Sequence, residues 1–569
     1  MHTVFVIFLT LMAEQAHLKL TMMTQYNNLT FPKLFSETVT KYGSSNAMAL
    51  VGQEPITYKE LDTNIKALIA FYEKLGIQAG DKIAILSTNM PNWGITYYAT
   101  TFMGAVVVPI LPDFTVFEIE NILQHSEAKA IFVSKALASK LDKINIDSLE
   151  FTVGIENFEI IKPVEASVQF DLSAQAEKSY DVQEDDMAAI IYTSGTTGSS
   201  KGVMLSHKNI CSNATSARKL HPIDERDRFL SILPLSHTYE NTLGFVIPML
   251  AGSCIYYLGK APVPSLLISA LKEVKPTIMF SVPLIIEKIY KGKILANING
   301  KAITKFLYKI PFFRKKLNAI AGKKLMETFG GELTFFGIGG AKLNDQVELF
   351  LREAKFPYAI GYGLTESSPL LAGIGVNQTK YRSTGPALEG VELKINNPDP
   401  HTQIGEVWAK GDNVMLGYYK DPEKTKEVLT EDGWFKTGDL AKMDKNNYLY
   451  IESRLKNMIV GASGENIYPE AIESLINNFK HVVESVVVEK KGKLVAMVHF
   501  NYEELEQQYK HLKREVEGYV DKQVDELMEE LQVYVNSRVN KFSQLQLVVA
   551  QVDPFQKTAT HKIKRFLYY

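Results

Sequence analysis

The sequence predicts an α/β fold in a large N-terminal part, followed by a small α+β unit at the C-terminus. Between residues 57 and 361, helical patterns alternate with short apolar runs that are typical of buried strands. Such alternation favours helices layered on mostly parallel sheets. After about residue 390 strand patterns follow one another, which indicates a β-rich subdomain, and a new pattern of one helix and two strands begins beyond Lys456.

The α/β part opens with a predicted helix at residues 58–75, because Leu61, Ile65 and Leu68 recur at helical spacing. Apolar, β-prone runs between turn residues predict the strands that follow. These strands are expected near residues 82–86, 105–110, 131–133, 188–192, 229–233, 277–282, 333–337 and 357–361.

The remaining elements belong to the β-rich subdomain and to the C-terminal unit. The β-rich strands are predicted at residues 391–395, 405–409 and 448–451, and the C-terminal unit at a helix 468–477 and strands 485–489 and 493–500. Residues 502–540 carry a long helical pattern rich in Glu, Lys and Leu. We interpret it as a solvated pair of helices, with a partner-binding surface as the alternative.

Composition excludes several classes of protein. A chain of 569 residues with 46% hydrophobic and 22% charged residues is ordinary for a globular protein of several domains. The net charge of −2 gives no sign of nucleic-acid binding. Cys211 and Cys254 are too few for a disulfide framework, so we expect buried thiols in a reducing compartment, and no Cys/His cluster has zinc spacing.

The N-terminus carries an apolar run, Val4 to Met12, that is too short to span a bilayer. No Lys or Arg precedes it, so it lacks the basic region of a signal peptide. One hypothesis is that translation starts at Met22 or Met23 and that residues 1–21 are a misassigned extension. The alternative is a short tail that touches a membrane.

A glycine-rich loop, Thr193-Ser-Gly-Thr-Thr-Gly-Ser-Ser-Lys201-Gly202, directly follows the predicted strand at 188–192. Glycines let backbone N–H groups converge on one point, and hydroxyl side chains add donors, so the loop suits a polyphosphate. It is not a Walker loop, because Ser200 precedes the lysine and Gly202 follows it. Taken alone, the same composition is also that of a solvated turn.

Further motifs follow in one order along the chain: Gly361-Tyr-Gly-Leu-Thr-Glu366, Gly433-Trp-Phe-Lys-Thr-Gly-Asp439, Arg454-Leu-Lys456, Gly464-Glu-Asn-Ile-Tyr-Pro469 and Lys562-Ile-Lys-Arg565. With the glycine loop, they resemble the adenylate-forming superfamily of acyl-CoA synthetases, peptide-synthetase adenylation domains and luciferases. The resemblance runs from about Phe31 to the C-terminus. It implies an N-terminal extension at residues 1–30, a domain at 31–455 for AMP and the acyl group, and a mobile lid at 456–569 with a helical insertion at about 502–540.

The resemblance implies a set of residues around ATP. The ATP phosphates would contact Thr193, Ser194, Gly195, Thr196, Thr197, Gly198 and Lys201. Tyr362 would stack on the adenine, and the other residues implied at the adenine are Gly339, Gly340, Ala341 and Gly363. A flat aromatic face and close backbone approach at glycines suit these roles.

Polar residues of the later motifs complete the implied nucleotide site. Thr365 would touch the α-phosphate, and Glu366, together with Thr196, would bind Mg²⁺, which prefers hard oxygen ligands. Asp439 and Arg454 would bind the ribose, with a purely structural ion pair as the alternative. Ser453 departs from the family pattern, because the position before the arginine is usually acidic.

The resemblance also assigns the reacting and moving residues. His237 would lie at the acyl and nucleotide sites, and Lys562 would reach both the substrate carboxylate and the α-phosphate. From spacing alone Lys557 and Lys564 are equally suitable. Lys456 matches the hinge between two orientations of the lid, and Gly464 the position where the thiol arm of CoA passes the backbone.

One internal stretch, Lys288 to Met326, contains no Asp or Glu but many Lys and Arg residues interleaved with aromatic and aliphatic ones. Basic, aromatic segments favour anionic bilayer surfaces. The alternative is a solvated pair of surface helices. This insertion and the one at 502–540 resemble those of long-chain fatty acyl-CoA synthetases.

The expected function is therefore that of an AMP-forming long-chain fatty acid–CoA ligase that uses ATP, Mg²⁺ and CoA. The alternatives are an enzyme that stops at acyl-AMP or transfers the acyl group to an acyl carrier protein, and a non-enzymatic nucleotide-binding protein at a membrane surface. No nucleic-acid partner is expected. The expected location is the cytoplasm, with attachment to the inner face of the membrane as a further expectation.

Overall fold

The computed structural model describes residues 28–164, 167–193, 200–460, 465–509, 516–558 and 562–569, without the side chains of residues 507–521. The hypotheses about the apolar run from Val4 and about a start at Met22 or Met23 lie outside these ranges. Ser194 to Gly198 of the glycine loop and Gly464 also lie outside them.

A seven-stranded sheet forms one layer of the N-terminal part. Its strand order is Tyr358–Ile360, Phe335–Ile338, Ile278–Ser281, Arg228–Ser231, Cys254–Tyr257, Asn46–Leu50 and Ile56–Thr57. All neighbours pair in parallel except the last two strands. The predicted parallel arrangement is confirmed here, and the strands are nearly continuous apolar runs because both faces are covered.

An eight-stranded sheet forms the second layer. Its strand order is Gly417–Tyr418, Lys201–Ser206, Met187–Thr193, Val106–Ile110, Lys82–Leu86, Ala128–Val133, Phe151–Gly154 and Glu159–Lys162. The central pairs are parallel, whereas both edges are antiparallel. The glycine loop therefore joins two adjacent antiparallel strands, one ending at Thr193 and the other beginning at Lys201.

Helices cover these sheets. The predicted helix near 58–75 is observed as Tyr58–Lys74, where Thr57 and Glu60 form a capping box and the periodic leucines and isoleucine are buried. The other helices of this part are Phe31–Tyr42, Pro91–Phe102, Val116–Ser126, His207–Arg218, Ile247–Ala251, Pro264–Val274, Pro283–Ile289, Ala296–Asn299, Ala302–Tyr308, Pro311–Thr328, Asp345–Glu353 and Pro422–Val428, with π-helical turns at Glu240–Val246 and Tyr290–Leu295.

The predicted β-rich subdomain is a four-stranded antiparallel sheet. Its strands are Val391–Asn396, Gly405–Gly411, Phe435–Met443 and Leu449–Arg454. A two-stranded ribbon, Tyr362–Gly363 with Leu370–Ala372, packs against it through a shared core. The pairing places Asp439 directly opposite Arg454.

The C-terminal unit has a hydrophobic core of its own, built from residues beyond 458. A three-stranded sheet of Val482–Lys490, Lys493–Phe500 and Leu547–Ala550 packs with helices Pro469–Ile476, Tyr502–Tyr509 and Val516–Asn536. The long helix is not merely solvated as predicted, because Leu527, Leu531 and Val535 are buried in this core. The α+β character is confirmed, and the predicted boundary at Lys456 stays a prediction.

Both cysteines, Cys211 and Cys254, are unpaired and buried, as the sequence predicts. Burial raises the pKa of Cys254 to about 12, so the thiol is inert at neutral pH. Within the described ranges, no helix combines the length and the apolar character needed to cross a membrane.

Candidate functional site

An ion pair between two neighbouring strands forms one wall of the candidate nucleotide site. Arg454 Nε lies 2.7 Å from Asp439 Oδ1, and the hydroxyl of Tyr362 donates to Asp439 Oδ2 at 2.8 Å. Asp439 and Tyr362 are both buried. One carboxylate thus holds a guanidinium and a phenol at fixed positions, and three residues predicted from separate motifs meet.

Burial and charge act against each other in this group. Burial raises the pKa of Asp439, and the charge of Arg454 and the Tyr362 hydroxyl counteract it. Burial works against the charge of Arg454, but the adjacent Asp439 keeps the pKa of this guanidinium above its ordinary value. Loss of Arg454 would leave the Asp439 carboxylate buried without a counter-ion, whereas the Arg454 side chain is 38% exposed.

Glu366 lies in a short helical turn, Thr365–Ser367, that follows the ribbon strand Tyr362–Gly363. Its carboxylate Oε1 accepts a hydrogen bond from the Tyr418 hydroxyl at 2.9 Å, and its backbone carbonyl accepts from Met415 N at 2.9 Å. The ammonium of Lys201 lies over the Tyr418 ring, 4.9 Å from its centre. Tyr418 therefore joins the end of the glycine loop to the proposed metal ligand.

Two glycines of the predicted adenine pocket are required by close packing. A Cβ at Gly339 would meet the Tyr239 ring at 3.1 Å. A Cβ at Gly363 would collide with the Pro369 carbonyl. Gly340 has a φ of +85° and, like the neighbouring Ala341, is exposed, so the turn presents backbone to the cleft.

His237 lies in the segment before the π-helical turn, close enough to Lys562 for their charges to interact. Burial, reinforced by the positive charge of Lys562, lowers the pKa of His237 to about 4. The ring is therefore neutral at physiological pH. Its Nδ1 accepts from Tyr239 N at 3.2 Å, so the proton is on Nε2, which can donate to a substrate oxygen.

Lys562 belongs to the C-terminal unit but faces the same group of charges. The surrounding protein lowers the pKa of its ammonium, and the charge of Arg454 lowers it further, against the attraction of Asp439 and Glu366. The side chain keeps access to solvent, so the cleft surrounds it without sealing it. Lys562 N donates to Thr558 Oγ1 at 3.2 Å.

The structure separates the three lysines that spacing alone left equivalent. Lys557 pairs with Glu484, with Nζ 2.6 Å from Oε2, inside the C-terminal unit. Lys562, in contrast, interacts with the charges of Arg454, Asp439 and Glu366 in the N-terminal part.

Lys456 also lies near this group of cations. Burial lowers its pKa to about 8, and the nearby charges of Arg454, Lys201 and Lys562 act in the same direction. Four cations thus converge on a cleft that contains the carboxylates of Asp439 and Glu366. Such an arrangement suits a ligand with several negative charges, because the cations repel one another in its absence.

The donor set fits Mg²⁺ on ATP better than a metal held by protein alone. In the part of the chain that the structure describes, no cluster of three or more His, Cys, Asp or Glu side chains could hold a metal ion. Mg²⁺ is commonly bound by one or two carboxylates plus substrate phosphates, and Glu366 provides such a carboxylate. Thr196, the other predicted ligand, lies outside the described residues.

Sequence reasoning missed Tyr418. Its partner Glu366 is 52 residues away along the chain, and no local pattern marks a tyrosine as a hydrogen-bond donor to a distant carboxylate. Thr365 and Thr193 lie in the described part of the site, each half-buried. Their predicted contacts with phosphates stay predictions, as do those of the loop residues Ser194 to Gly198.

The sequence matches a known protein family and is similar to known long-chain acyl-CoA ligases and synthetases. Residues 35–419 match the family described as AMP-binding enzyme. The long-chain-fatty-acid–CoA ligase heimdall of Drosophila melanogaster is 27% identical over 510 residues, 81% of this chain and 74% of the relative. The peroxisomal long chain acyl-CoA synthetase 6 of Arabidopsis thaliana is 30% identical over 462 residues, 75% of this chain and 65% of the relative.

Solved structures have the same fold. ATP-bound MatB from Rhodopseudomonas palustris superposes with a TM-score of 0.73 at 23% identity, over 95% of this chain and 98% of that one. A Mycobacterium tuberculosis fatty acyl CoA synthetase gives a TM-score of 0.67 at 23% identity, over 95% and 97% of the two chains. The predicted fold class and resemblance are confirmed: the chain belongs to the family of AMP-binding enzymes.

Proposed function

We propose that this protein is an AMP-forming ligase that joins a long-chain fatty acid to CoA. A carboxylate oxygen of the fatty acid attacks the α-phosphorus of ATP, and the bond to the pyrophosphate oxygen breaks, which gives acyl-AMP. The CoA thiolate then attacks the acyl carbonyl, and the bond to the AMP oxygen breaks. Acyl-CoA and AMP leave.

The observation that carries the proposal is the convergence of Lys201, Arg454, Lys456 and Lys562 on the cleft around Asp439 and Glu366. Two anions must approach each other in the first step, so fixed positive charge at the developing pentacoordinate phosphorus lowers the barrier. Lys562 reaches the cleft from the C-terminal unit, and Lys201 borders the glycine loop. Both parts of the protein therefore contribute cations to the cleft.

The other residues bind and orient. Asp439 accepts from the ribose hydroxyls, and Tyr362 and Arg454 hold the carboxylate in place. Neutral His237 donates its Nε2 proton to an acyl or phosphate oxygen without adding charge. Glu366 would hold Mg²⁺, which supplies positive charge at the ATP phosphates.

The second step is proposed to need a different lid orientation. In this second orientation the unit beyond Lys456 would carry Lys562 away from the cleft and open a path for the thiol of CoA. A separate hydrophobic core lets this unit move as one body. Lys456 is the proposed hinge, and Gly464 is proposed to leave room for the thiol arm of CoA.

The chain-length class rests on the relatives, whose names describe long-chain fatty-acid ligases. The test is mass spectrometry of the products after purified protein meets MgATP, CoA and a mixture of saturated fatty acids from octanoate to arachidate. Long-chain acyl-CoA with equimolar AMP is the expected product. Short-chain or aromatic thioesters from a wider acid mixture, with no long-chain product, would overturn the long-chain assignment.

An acyl carrier protein is the second candidate acceptor. A relative from Arabidopsis thaliana, 29% identical over 567 residues, is named a chloroplastic long-chain-fatty-acid–[acyl-carrier-protein] ligase, AEE15. It covers 83% of this chain and 76% of its own length. Acyl-AMP that accumulates with CoA but is consumed when a holo carrier protein is added would favour this acceptor.

We also propose that the segment Lys288 to Met326 rests on an anionic membrane. Its helices expose apolar side chains to solvent: Ile303 is 75% exposed, Phe306 65%, Phe312 61% and Ile320 57%. Lysines flank them, and the ammonium of Lys316 lies 4.5 Å from the centre of the Phe312 ring. Apolar side chains next to cations can enter the headgroup region while the charges meet anionic lipids.

Two cations of the segment Lys288 to Met326 bind groups in other parts of the protein, so the surface of this segment is less basic than its sequence suggests. Arg314 pairs with the buried Glu353, with Nη2 2.8 Å from Oε1. Lys291 Nζ donates to the Asn477 carbonyl of the C-terminal unit at 3.0 Å. The membrane face is therefore expected around Phe306 and Phe312 with Lys315 and Lys316, and Arg314 is unsuitable for a test because its loss would leave Glu353 unpaired.

The double change Phe306→Ser and Phe312→Ser is expected to reduce partitioning onto phosphatidylserine-containing vesicles by about tenfold or more, because two exposed aromatic side chains lose their apolar contact. Co-sedimentation measures the bound fraction. Val533→Ser, at a residue 71% exposed on the C-terminal unit, is the control. If the double variant partitions like the wild type, the segment is a solvated pair of surface helices and not a membrane contact.

A further inference from the structure

Glu470, near the start of the helix Pro469–Ile476, makes contacts in three directions. Its Oε2 accepts from the hydroxyl of Ser453, and its Oε1 accepts from Asn457 Nδ2 at 2.5 Å. Arg565 Nη2 lies 3.8 Å from the same Oε1. One carboxylate therefore touches the last strand of the four-stranded sheet, the segment after Lys456 and the C-terminal tail.

The contact with Ser453 crosses the proposed hinge. Ser453 is buried at the end of the strand Leu449–Arg454, before Lys456, whereas Glu470 lies beyond it. The neutral hydroxyl of Ser453 donates to the Glu470 carboxylate, so this hydrogen bond joins the two sides of the proposed hinge.

The contact with Arg565 leads to Lys562. Arg565 forms an ion pair with the buried Glu473, one helical turn after Glu470, and Glu473 in turn accepts from Val487 N at 2.6 Å. Lys562 is three residues before Arg565, and its backbone N–H donates to Thr558 Oγ1. The tail that carries the reacting lysine is thus tied to the helix whose start is tied to Ser453.

The far end of the same helix is held as well. Just beyond it, the Asn477 carbonyl accepts from Lys291, and Asn478 Oδ1 accepts from Asn344 Nδ2 at 2.5 Å. Both donors belong to the N-terminal part. The helix Pro469–Ile476 is therefore held across the two parts at both ends, and its N-terminal end is the one connected to the lysine-bearing tail.

We propose that Glu470 is a positioning residue that couples the orientation of the C-terminal unit to the placement of Lys562, through its contacts with Ser453 and Arg565. This inference rests on the proposed ligase function. The orientation that it stabilises is the one for acyl-AMP formation, and release of the Ser453 contact is a step toward thiolysis.

The test compares the two half-reactions in Ser453→Ala. Acyl-AMP formation, followed by fatty-acid-dependent exchange of pyrophosphate into ATP, is expected to fall about tenfold, the effect of losing one hydrogen bond to a charged group. Conversion of supplied acyl-AMP and CoA to acyl-CoA is expected to be unchanged or faster. Ser453→Thr keeps the hydroxyl and should restore the exchange rate.

Two further variants make the result specific. Glu470→Gln should lower the exchange rate selectively, as Ser453→Ala does, because the neutral amide weakens the contacts with both Ser453 and Arg565. Ser537→Ala is the control, since its hydroxyl donates to the Tyr534 carbonyl at 2.9 Å within the C-terminal unit alone. Its ratio of half-reactions should match the wild type.

The outcomes separate this inference from the proposed function. If the wild-type protein forms no acyl-AMP from any acid, the ligase proposal fails. If the wild type carries out both half-reactions but Ser453→Ala slows both equally, or neither, then Glu470 is only structural and the inference is overturned. A selective loss of the first half-reaction, rescued by threonine, supports it.

Discussion

Lys562→Ala is expected to reduce acyl-AMP formation by about a hundred- to a thousandfold, the range seen when one preorganised charge-stabilising group is removed from a transition state. The ammonium of Lys562 interacts with the charges of Arg454, Asp439 and Glu366, at the proposed meeting point of the attacking carboxylate and the α-phosphate. Fatty-acid-dependent pyrophosphate exchange measures this step. Thiolysis of supplied acyl-AMP should remain close to the wild-type rate, because Lys562 is proposed to leave the cleft with the C-terminal unit before that step.

Lys557→Ala is the matched control. It removes a lysine from the same tail, but one that pairs with Glu484 within the C-terminal unit.

The lowered pKa of Lys562 offers a second test of its role. The value of kcat/KM for ATP should decline as pH rises through that pKa, since the positive charge is then lost from the free enzyme. Lys562→Arg should retain charge to higher pH. Near-normal exchange in Lys562→Ala would contradict the assignment.

Asp439→Ala is expected to lower kcat/KM for ATP by about a hundredfold, or ~2.7 kcal/mol at 1.36 kcal/mol per tenfold change. The change removes the proposed acceptor for the ribose hydroxyls. It also leaves the partly exposed Arg454 without its counter-ion and the buried Tyr362 hydroxyl without its acceptor. Steady-state kinetics are measured at varied ATP and at varied CoA. The predicted decrease should appear in kcat/KM for ATP.

Asp444→Ala is the control for Asp439→Ala. It tests whether the loss of another aspartate near this sheet lowers kcat/KM for ATP in the same way. Asp444 directly follows the strand Phe435–Met443 and pairs with Lys380, with Nζ 2.8 Å from Oδ2, outside the cleft. Its removal should leave kcat/KM for ATP within about twofold, as expected for a surface ion pair. If Asp439→Ala is shown to be folded and its kcat/KM for ATP is unchanged, the Asp439–Arg454 pair has only a structural role.

Much of the architecture follows from local pattern. The helix Tyr58–Lys74 and the strand Lys82–Leu86 were predictable because periodicity and apolar runs depend on residues close in sequence. The long helix Val516–Asn536 was predictable as a helix, but not its burial. Charged and apolar side chains are interspersed along it, and only the packing of Leu531 and Val535 against the neighbouring sheet decides which face is covered.

The ordered motifs also selected the residues that meet in the cleft, since Tyr362, Asp439 and Arg454 come from separate motifs and form one hydrogen-bonded group. Their roles toward ATP stay predictions. The motifs could not select among contacts made by residues outside them. Tyr418 reaches Glu366 because an edge strand pairs with the strand that begins at Lys201, and pairing between distant strands has no signature in one sequence.

The sequence by itself determined the fold class, the family and the candidate residues around the nucleotide, because these depend on local periodicity and on motifs with fixed internal spacing. Only the tertiary structure decided which partner each charge has. It placed Lys557 on Glu484, Arg314 on Glu353 and Glu470 between Ser453 and Arg565. The physical reason is that charges interact through space, so an ion pair depends on distance in the folded chain and not on separation along it.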